Sequence, residues 1–155
     1  MKRIGVLGRG TMASGIIQVL AQNEYDVVMW VRNIDEANPR GSLKSVDKNL
    51  GRMVKKEKMT EEDKQKVLSR IEITTKFEDL RDCDLVIEAI SEDMKVKKDT
   101  FKKLDEICKS EAILASNTSS LSITDVASAT NRPEKVIGMH FFNPVPVMKV
   151  VEVIK

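Results

Sequence analysis

His140 and Glu152 are the two side chains of this sequence whose types suit proton transfer. His140 is the single histidine, and a neutral imidazole changes charge near physiological pH. An imidazole oriented by a carboxylate on its other ring nitrogen can take the proton from an alcohol as hydride leaves. The tail at 148–154 alternates with period two, which puts Met148, Val150, Glu152 and Ile154 on one face. A carboxylate on an apolar face needs a partner, because an unpaired buried charge is costly. His140, at the end of the preceding strand, is the candidate. A lone histidine is also a common structural residue, so the residues alone leave both readings open.

A second pattern, at the N-terminus, would supply the hydride acceptor. Residues 4–7 are apolar, are broken by Gly8-Arg9-Gly10, and run into a helical stretch at 11–22. This is strand, tight turn, helix, with the spacing G-x-G-x-x-A at Gly8, Gly10 and Ala13. The first glycine permits the turn, the second lets backbone approach a pyrophosphate, and a small third residue lets the helix pack on the strand. The N–H groups opening the helix, at Thr11 and Met12, would then hold the phosphates. The same glycines could equally make a turn that binds nothing.

The second strand, at 26–31, decides between dinucleotides. A carboxylate at its tip would accept from the ribose 2′-hydroxyl, whereas a cation suits a 2′-phosphate. Here the tip is Val31-Arg32-Asn33. Arg32 can fork onto a phosphate, Asn33 adds a donor, and Arg9 in the glycine turn can close over the same group. The pattern favours NADP(H), with NAD(H) the alternative because Asp35 is near.

These groups need a framework, and the periodicities give one. Helices are predicted at 42–58 and 60–70, the second capped by Thr60 with Asp63. Strands are predicted at 71–74, 83–89, 112–116, 135–140 and 148–154. A helix at 94–108 turns Val96, Phe101, Leu104 and Ile107 inward and its lysines outward, with Lys97 able to reach back over the cleft. The run 117–120, Asn-Thr-Ser-Ser, either hydrogen-bonds a ligand, caps the helix at 123–128, or does both. Glu88, Glu92 and Asp93 fall at a strand's carboxyl end, where open α/β sheets bind ligands. The predicted fold is α/β: a doubly wound, mostly parallel sheet with helices on both faces and a two-helix excursion after the second strand. That excursion carries Lys55, Lys56 and Lys58, which read on their own as a solvated face.

The 155 residues suit one domain. A net charge of +2 with both signs interspersed gives no sign of a nucleic-acid surface. The sequence shows neither a membrane-spanning run nor a signal peptide, so a cytoplasmic location is expected. Cys83 and Cys108 are far apart, lack metal spacing and read as small core residues, and no metal site is expected.

The stretches DLVIEAISEDMKVKK, ILASNTSSLSIT and RPEKVIGMHFFNPVPVMKVVEVI resemble the N-terminal domain of the 3-hydroxyacyl-CoA dehydrogenase family over essentially the whole chain. The resemblance implies reversible hydride transfer between a nicotinamide and the 3-hydroxyl of a short 3-hydroxyacyl-CoA, such as 3-hydroxybutyryl-CoA, giving the 3-oxoacyl-CoA. By the same resemblance His140 is the base, Glu152 orients it, and Ser119 hydrogen-bonds substrate. It also implies cofactor contacts from Glu92, Lys97, Ser119 and Asn143, and coenzyme A contacts from the lysine-rich excursion, Lys55 and Lys56 among them. Three departures stand out. The turn reads GRGTMAS, without the family's usual alanine and third glycine. Val31-Arg32 replaces the acidic strand tip, which again favours NADP(H). The sequence stops at Lys155, before the family's helical dimerisation domain. The expectation is therefore a cofactor domain whose exposed docking surface could support self-association. The alternatives are a dinucleotide-binding module with little catalysis, or a structural relict that binds no cofactor.

Overall fold

The computed structural model describes residues 1–155. In chain order it forms β1 (Arg3–Leu7), α1 (Thr11–Gln22), β2 (Asp26–Trp30), α2 (Lys44–Lys55), α3 (Glu61–Ser69), β3 (Ile71–Thr74), β4 (Leu85–Glu88), α4 (Met94–Ile107), β5 (Ile113–Ser116), α5 (Ile123–Ala127), β6 (Val136–Phe141) and β7 (Val151–Ile154). The strands make one sheet in the order β3-β2-β1-β4-β5-β6-β7. All pair in parallel except β7, which runs antiparallel to β6.

The central strands are apolar along their middles because helices cover both their faces. Alternate residues feed two cores. Ile4, Val6, Val27, Met29, Leu85, Ile87 and Ala115 join α1, α2 and α3. Leu7, Val28, Val86 and Leu114 join α4 and α5. The chain builds outward from β1 through β2 to β3, then crosses back to place β4 on β1's other side. The loops after β1 and β4 consequently diverge, and a crevice opens at the carboxyl ends of those two strands.

Most predicted elements appear within a residue or two of their expected ends, and four differences matter. The helix predicted at 42–58 is a single tight turn at Gly41–Leu43 followed by α2. It ends early because the chain turns out through Glu57 at φ 56°, in the left-handed region. On α4 the lysines do not all face outward: Lys97 is 1% exposed. Residues 117–120 do not cap α5; Ser122 does, its hydroxyl accepting from the Asp125 N–H. Finally, all four residues of β7 are exposed. The alternation of the tail is real, but β7 is the outermost strand, with no helix against it, so Glu152 does not lie on a buried face.

Candidate active site

The turn between β1 and α1 is built as the glycine spacing predicts. Gly8 sits at φ +125°, and a Cβ there would lie 2.7 Å from the Ala89 carbonyl oxygen, so only glycine fits. Gly10 has open space where its Cβ would be. It is the N-cap of α1, and no side chain caps that helix. The first N–H groups of α1 therefore face the crevice without a protein partner, which is the chemistry of an anion site. One turn further on, a Cβ on Gly15 would meet Val145 at 2.8 Å. That close approach seats the 143–146 loop on α1.

The crevice is a cleft of about 440 Å³ lined by Gly10, Thr11, Met12, Glu92, Asn117, Ser119, His140 and Asn143, with Ala89, Ile90, Phe141 and Phe142 as its apolar part. It thus gathers the uncapped helix start, the candidate base and small polar groups from three strand ends. The His140 ring packs at a tilt on Phe142, centroids 4.7 Å apart. Asn117 ties two strand ends together: its N–H donates to the Glu88 carbonyl at 2.8 Å and its Oδ1 accepts from the Phe141 N–H at 2.9 Å.

Glu152 is the Cα partner of His140 across the β6–β7 pairing. The two therefore project from the same face of the sheet, as the alternation requires. No ion pair links them, and Glu152 is solvated with the rest of β7.

Below the cleft lies a buried ionic cluster. Lys97 Nζ stands 2.6 Å and 2.9 Å from the two oxygens of Glu88 and 3.3 Å from Glu92. Its ammonium is held beneath the cleft floor by Glu88, so Lys97 does not reach over the cleft and is not among its lining residues. Glu88 accepts in addition from Ser116 Oγ at 2.6 Å and from the Ile90 N–H at 2.9 Å. The sequence reading placed Glu88 at a strand's carboxyl end but missed this role. Its signal was a lone acid closing an apolar strand, which needs buried donors.

The far side of the glycine turn carries a second, wholly polar pocket of about 350 Å³ lined by Arg9, Asp35, Asn38, Gly41, Ser42, Lys44 and Ser45. Val31 at the strand tip is buried, so it presents nothing to this pocket. Arg32 and Asn33 are exposed and do not line it; the turn after β2 carries them away while Arg9 and Lys44 enter. Lys55 and Lys56 are exposed at the end of α2. Nearer the cleft, Ser45, Lys48, Asn49 and Arg52 share one face of α2 and line a groove with Asn143 and Pro144. Sequence reasoning missed that face because it followed the lysine run and not the helical spacing.

Both cysteines are buried and free. Burial pushes the Cys83 thiol up to about 12 and the Cys108 thiol up to about 11. No helix is long and apolar enough to cross a membrane.

Residues 3–155 match the family model described as 3-hydroxyacyl-CoA dehydrogenase, NAD binding domain. A 3-hydroxybutyryl-CoA dehydrogenase of Clostridioides difficile is 54% identical, over 98% of this chain and 53% of its own length. A probable 3-hydroxybutyryl-CoA dehydrogenase of Bacillus subtilis is 50% identical, over 100% of this chain and 53% of its own. Among solved structures, an (S)-3-hydroxybutyryl-CoA dehydrogenase from Ralstonia eutropha superposes with a TM-score of 0.92 at 44% identity, covering 99% of this chain and 53% of that one. The chain spans about half the length of the curated relatives it matches.

Proposed function

Because this chain belongs to the 3-hydroxyacyl-CoA dehydrogenase family through its NAD-binding domain, we propose that it carries the cofactor half of a dehydrogenase interconverting short 3-hydroxyacyl-CoA and 3-oxoacyl-CoA. One observation carries the reading. A single cleft brings the uncapped start of α1 together with His140, Ser119 and Asn143.

The residues fit a dinucleotide. The α1 N–H groups of Thr11 and Met12 receive the pyrophosphate, and Gly8 and Gly10 leave room for it. A nicotinamide bound there supplies the acceptor for the hydride. His140 takes the proton of the 3-hydroxyl, and in the reverse direction returns it to the 3-oxo group. Ser119 donates to the substrate oxygen and steers it toward the imidazole. Glu92 and Asn143 hold the nicotinamide end. Glu152 orients the imidazole once β7 is covered. Coenzyme A lies along α2, with Lys55 and Lys56 continuing the basic face that Lys48 and Arg52 begin.

We further propose NADP(H) as the preferred form. What supports this is the missing carboxylate at the β2 tip and the pocket holding Arg9, Lys44 and two serines beside it. Asp35 shares that pocket, but its Oδ1 already accepts from the Ala37 N–H at 2.9 Å. This moves the expected phosphate grip from Arg32 and Asn33 toward Arg9. The free, buried cysteines support a reducing compartment such as the cytoplasm.

A second reading is a dinucleotide-binding module with little turnover of its own. It is favoured by the open solvation of β7 and by the exposed Val147, Val150, Val153 and Ile154. Such an apolar edge suits a second copy of the chain or a helical domain, and sedimentation at increasing concentration tests the first. Titration with NADPH and NADH, followed by acetoacetyl-CoA reduction with and without a relative's C-terminal half added in trans, separates the two readings. Cofactor binding with turnover supports the dehydrogenase. Binding without turnover under both conditions supports the module, and no binding defeats both.

A further inference from the structure

The floor of the cleft contains more charge than binding a dinucleotide requires. Glu88 is fully buried and Lys97 is 1% exposed, while Glu92 is 44% exposed and lines the cleft. Desolvating such a pair is expensive, and apolar residues of the same volume often serve stability as well or better. Stability alone therefore does not account for the cluster.

The hydrogen bonds show where its charge is expressed. Both Glu88 oxygens are taken up by Lys97, by Ser116 Oγ and by the Ile90 N–H. The ammonium is thus committed to Glu88, and one of two carboxylates remains without a full counter-charge. That one is Glu92. Its position is set from both sides: Lys97 approaches at 3.3 Å, and Thr118 Oγ1 and Ser120 Oγ donate to Oε2 at 2.8 Å and 3.3 Å. Burial would raise the Glu92 carboxyl, but these donors outweigh it and hold the group below its ordinary value. Glu92 remains an anion throughout the neutral range.

We propose that Glu92, fixed in place by Lys97 and Glu88, makes this cleft discriminate between the redox forms of its cofactor. An oxidised nicotinamide ring carries a positive charge and the reduced ring carries none, so a fixed anion beside the ring favours the oxidised form. The inference rests on the dinucleotide reading of the cleft. Glu92 is the discriminating contact, and Glu88 and Lys97 are positioning residues that act through it. Because Glu92 is half exposed, solvent screens the effect to about fivefold in the affinity ratio.

The test is calorimetric titration of the whole chain, without substrate, with oxidised and reduced NADP and NAD. It compares the unmodified protein with Glu92→Gln, Glu92→Asp and the paired change Glu88→Gln with Lys97→Met. The expected result is that Glu92→Gln loses affinity for the oxidised form only, moving the ratio about fivefold. Glu92→Asp, which keeps the charge, retains the ratio. The paired change is neutral overall and leaves Glu92 charged, so it moves the ratio only by loosening the position of Glu92, in the same direction as Glu92→Gln but less. A folded Glu92→Gln protein with an unchanged ratio, or with both forms weakened equally, overturns the proposal while leaving the dinucleotide site intact. If the unmodified protein binds neither nucleotide, the dinucleotide reading itself fails.

Discussion

Glu152 stands directly across the sheet edge from His140, as its Cα partner in the β6–β7 pairing, yet it is exposed and forms no ion pair with it. The register has already put the carboxylate on the imidazole's side of the sheet. Water around the exposed carboxylate weakens its interaction with the imidazole. His140→Gln is expected to lower acetoacetyl-CoA reduction by about a hundredfold or more, the usual scale for loss of a general base. Nucleotide affinity should stay within about twofold, since on the proposed reading the phosphates rest on the α1 start and not on His140. If Glu152 orients the imidazole as proposed, Glu152→Gln should cost less, about tenfold, because the proton acceptor itself remains. Steady-state rates beside binding titrations check both.

Gly8→Ala is predicted to damage the fold and the site together. The new Cβ would meet the Ala89 carbonyl at 2.7 Å in a backbone conformation, φ +125°, that alanine rarely adopts. A strain of about 1–3 kcal/mol is expected in urea unfolding, and nucleotide binding should fall because the turn sets the start of α1. Gly10→Ala is the informative contrast. Its Cβ meets nothing within the protein, so it should leave stability nearly unchanged and lower nucleotide affinity alone.

Acid should weaken the fold through two carboxylates. Asp84 is held well below its ordinary range by the Lys109 ammonium at 2.6 Å and by the Lys2 and Arg3 N–H groups. For Asp105, burial pushes upward, but the Asn131 N–H and Arg132 outweigh it and lower the group. A depressed folded value means that the unfolded chain binds more protons as pH falls. The stabilisation is therefore fully present above about pH 4, the unfolded carboxylate value, and is lost progressively below it. Denaturant midpoints at pH 7 and pH 3 measure the loss, and Asp105→Asn should flatten the difference. At pH 7 that variant should also cost about 2 kcal/mol, because Arg132 loses a charged acceptor at 2.6 Å.

Neither thiol should react in the folded protein. With Cys83 pushed up to about 12 and Cys108 to about 11 by burial, almost no thiolate exists at neutral pH. A chromogenic disulfide reagent should titrate two thiols only after denaturation. Rapid reaction of the native chain would show that the α4–α5 side of the sheet opens readily.

The sequence by itself determined the elements and much of the cleft. Periodicity depends on local backbone geometry, so a period of two or of about 3.6 marks strand or helix whatever lies around it. The glycine turn was legible for the same reason: Gly8 is dictated by the turn it makes, and Gly10 opens the helix that follows. The cleft position of His140 and of the 117–120 run followed from their place at strand ends in a doubly wound sheet, whereas Ser119 and Asn143 as individual contacts were implied by the family resemblance.

Tertiary structure decided the rest. Whether Lys97 pointed to solvent or into a buried carboxylate depended on Glu88 standing opposite it on another element, a pairing that helical spacing cannot express. Whether Glu152 was buried depended on what covers β7, and alternation marks faces without saying which is covered. Of the sequence's candidates Arg9, Arg32 and Asn33, only Arg9 lines the polar pocket beside the glycine turn, because the turn after β2 aims side chains by its own path. Each of these outcomes is a relation between segments distant in the chain, and local sequence carries no energy term that fixes it.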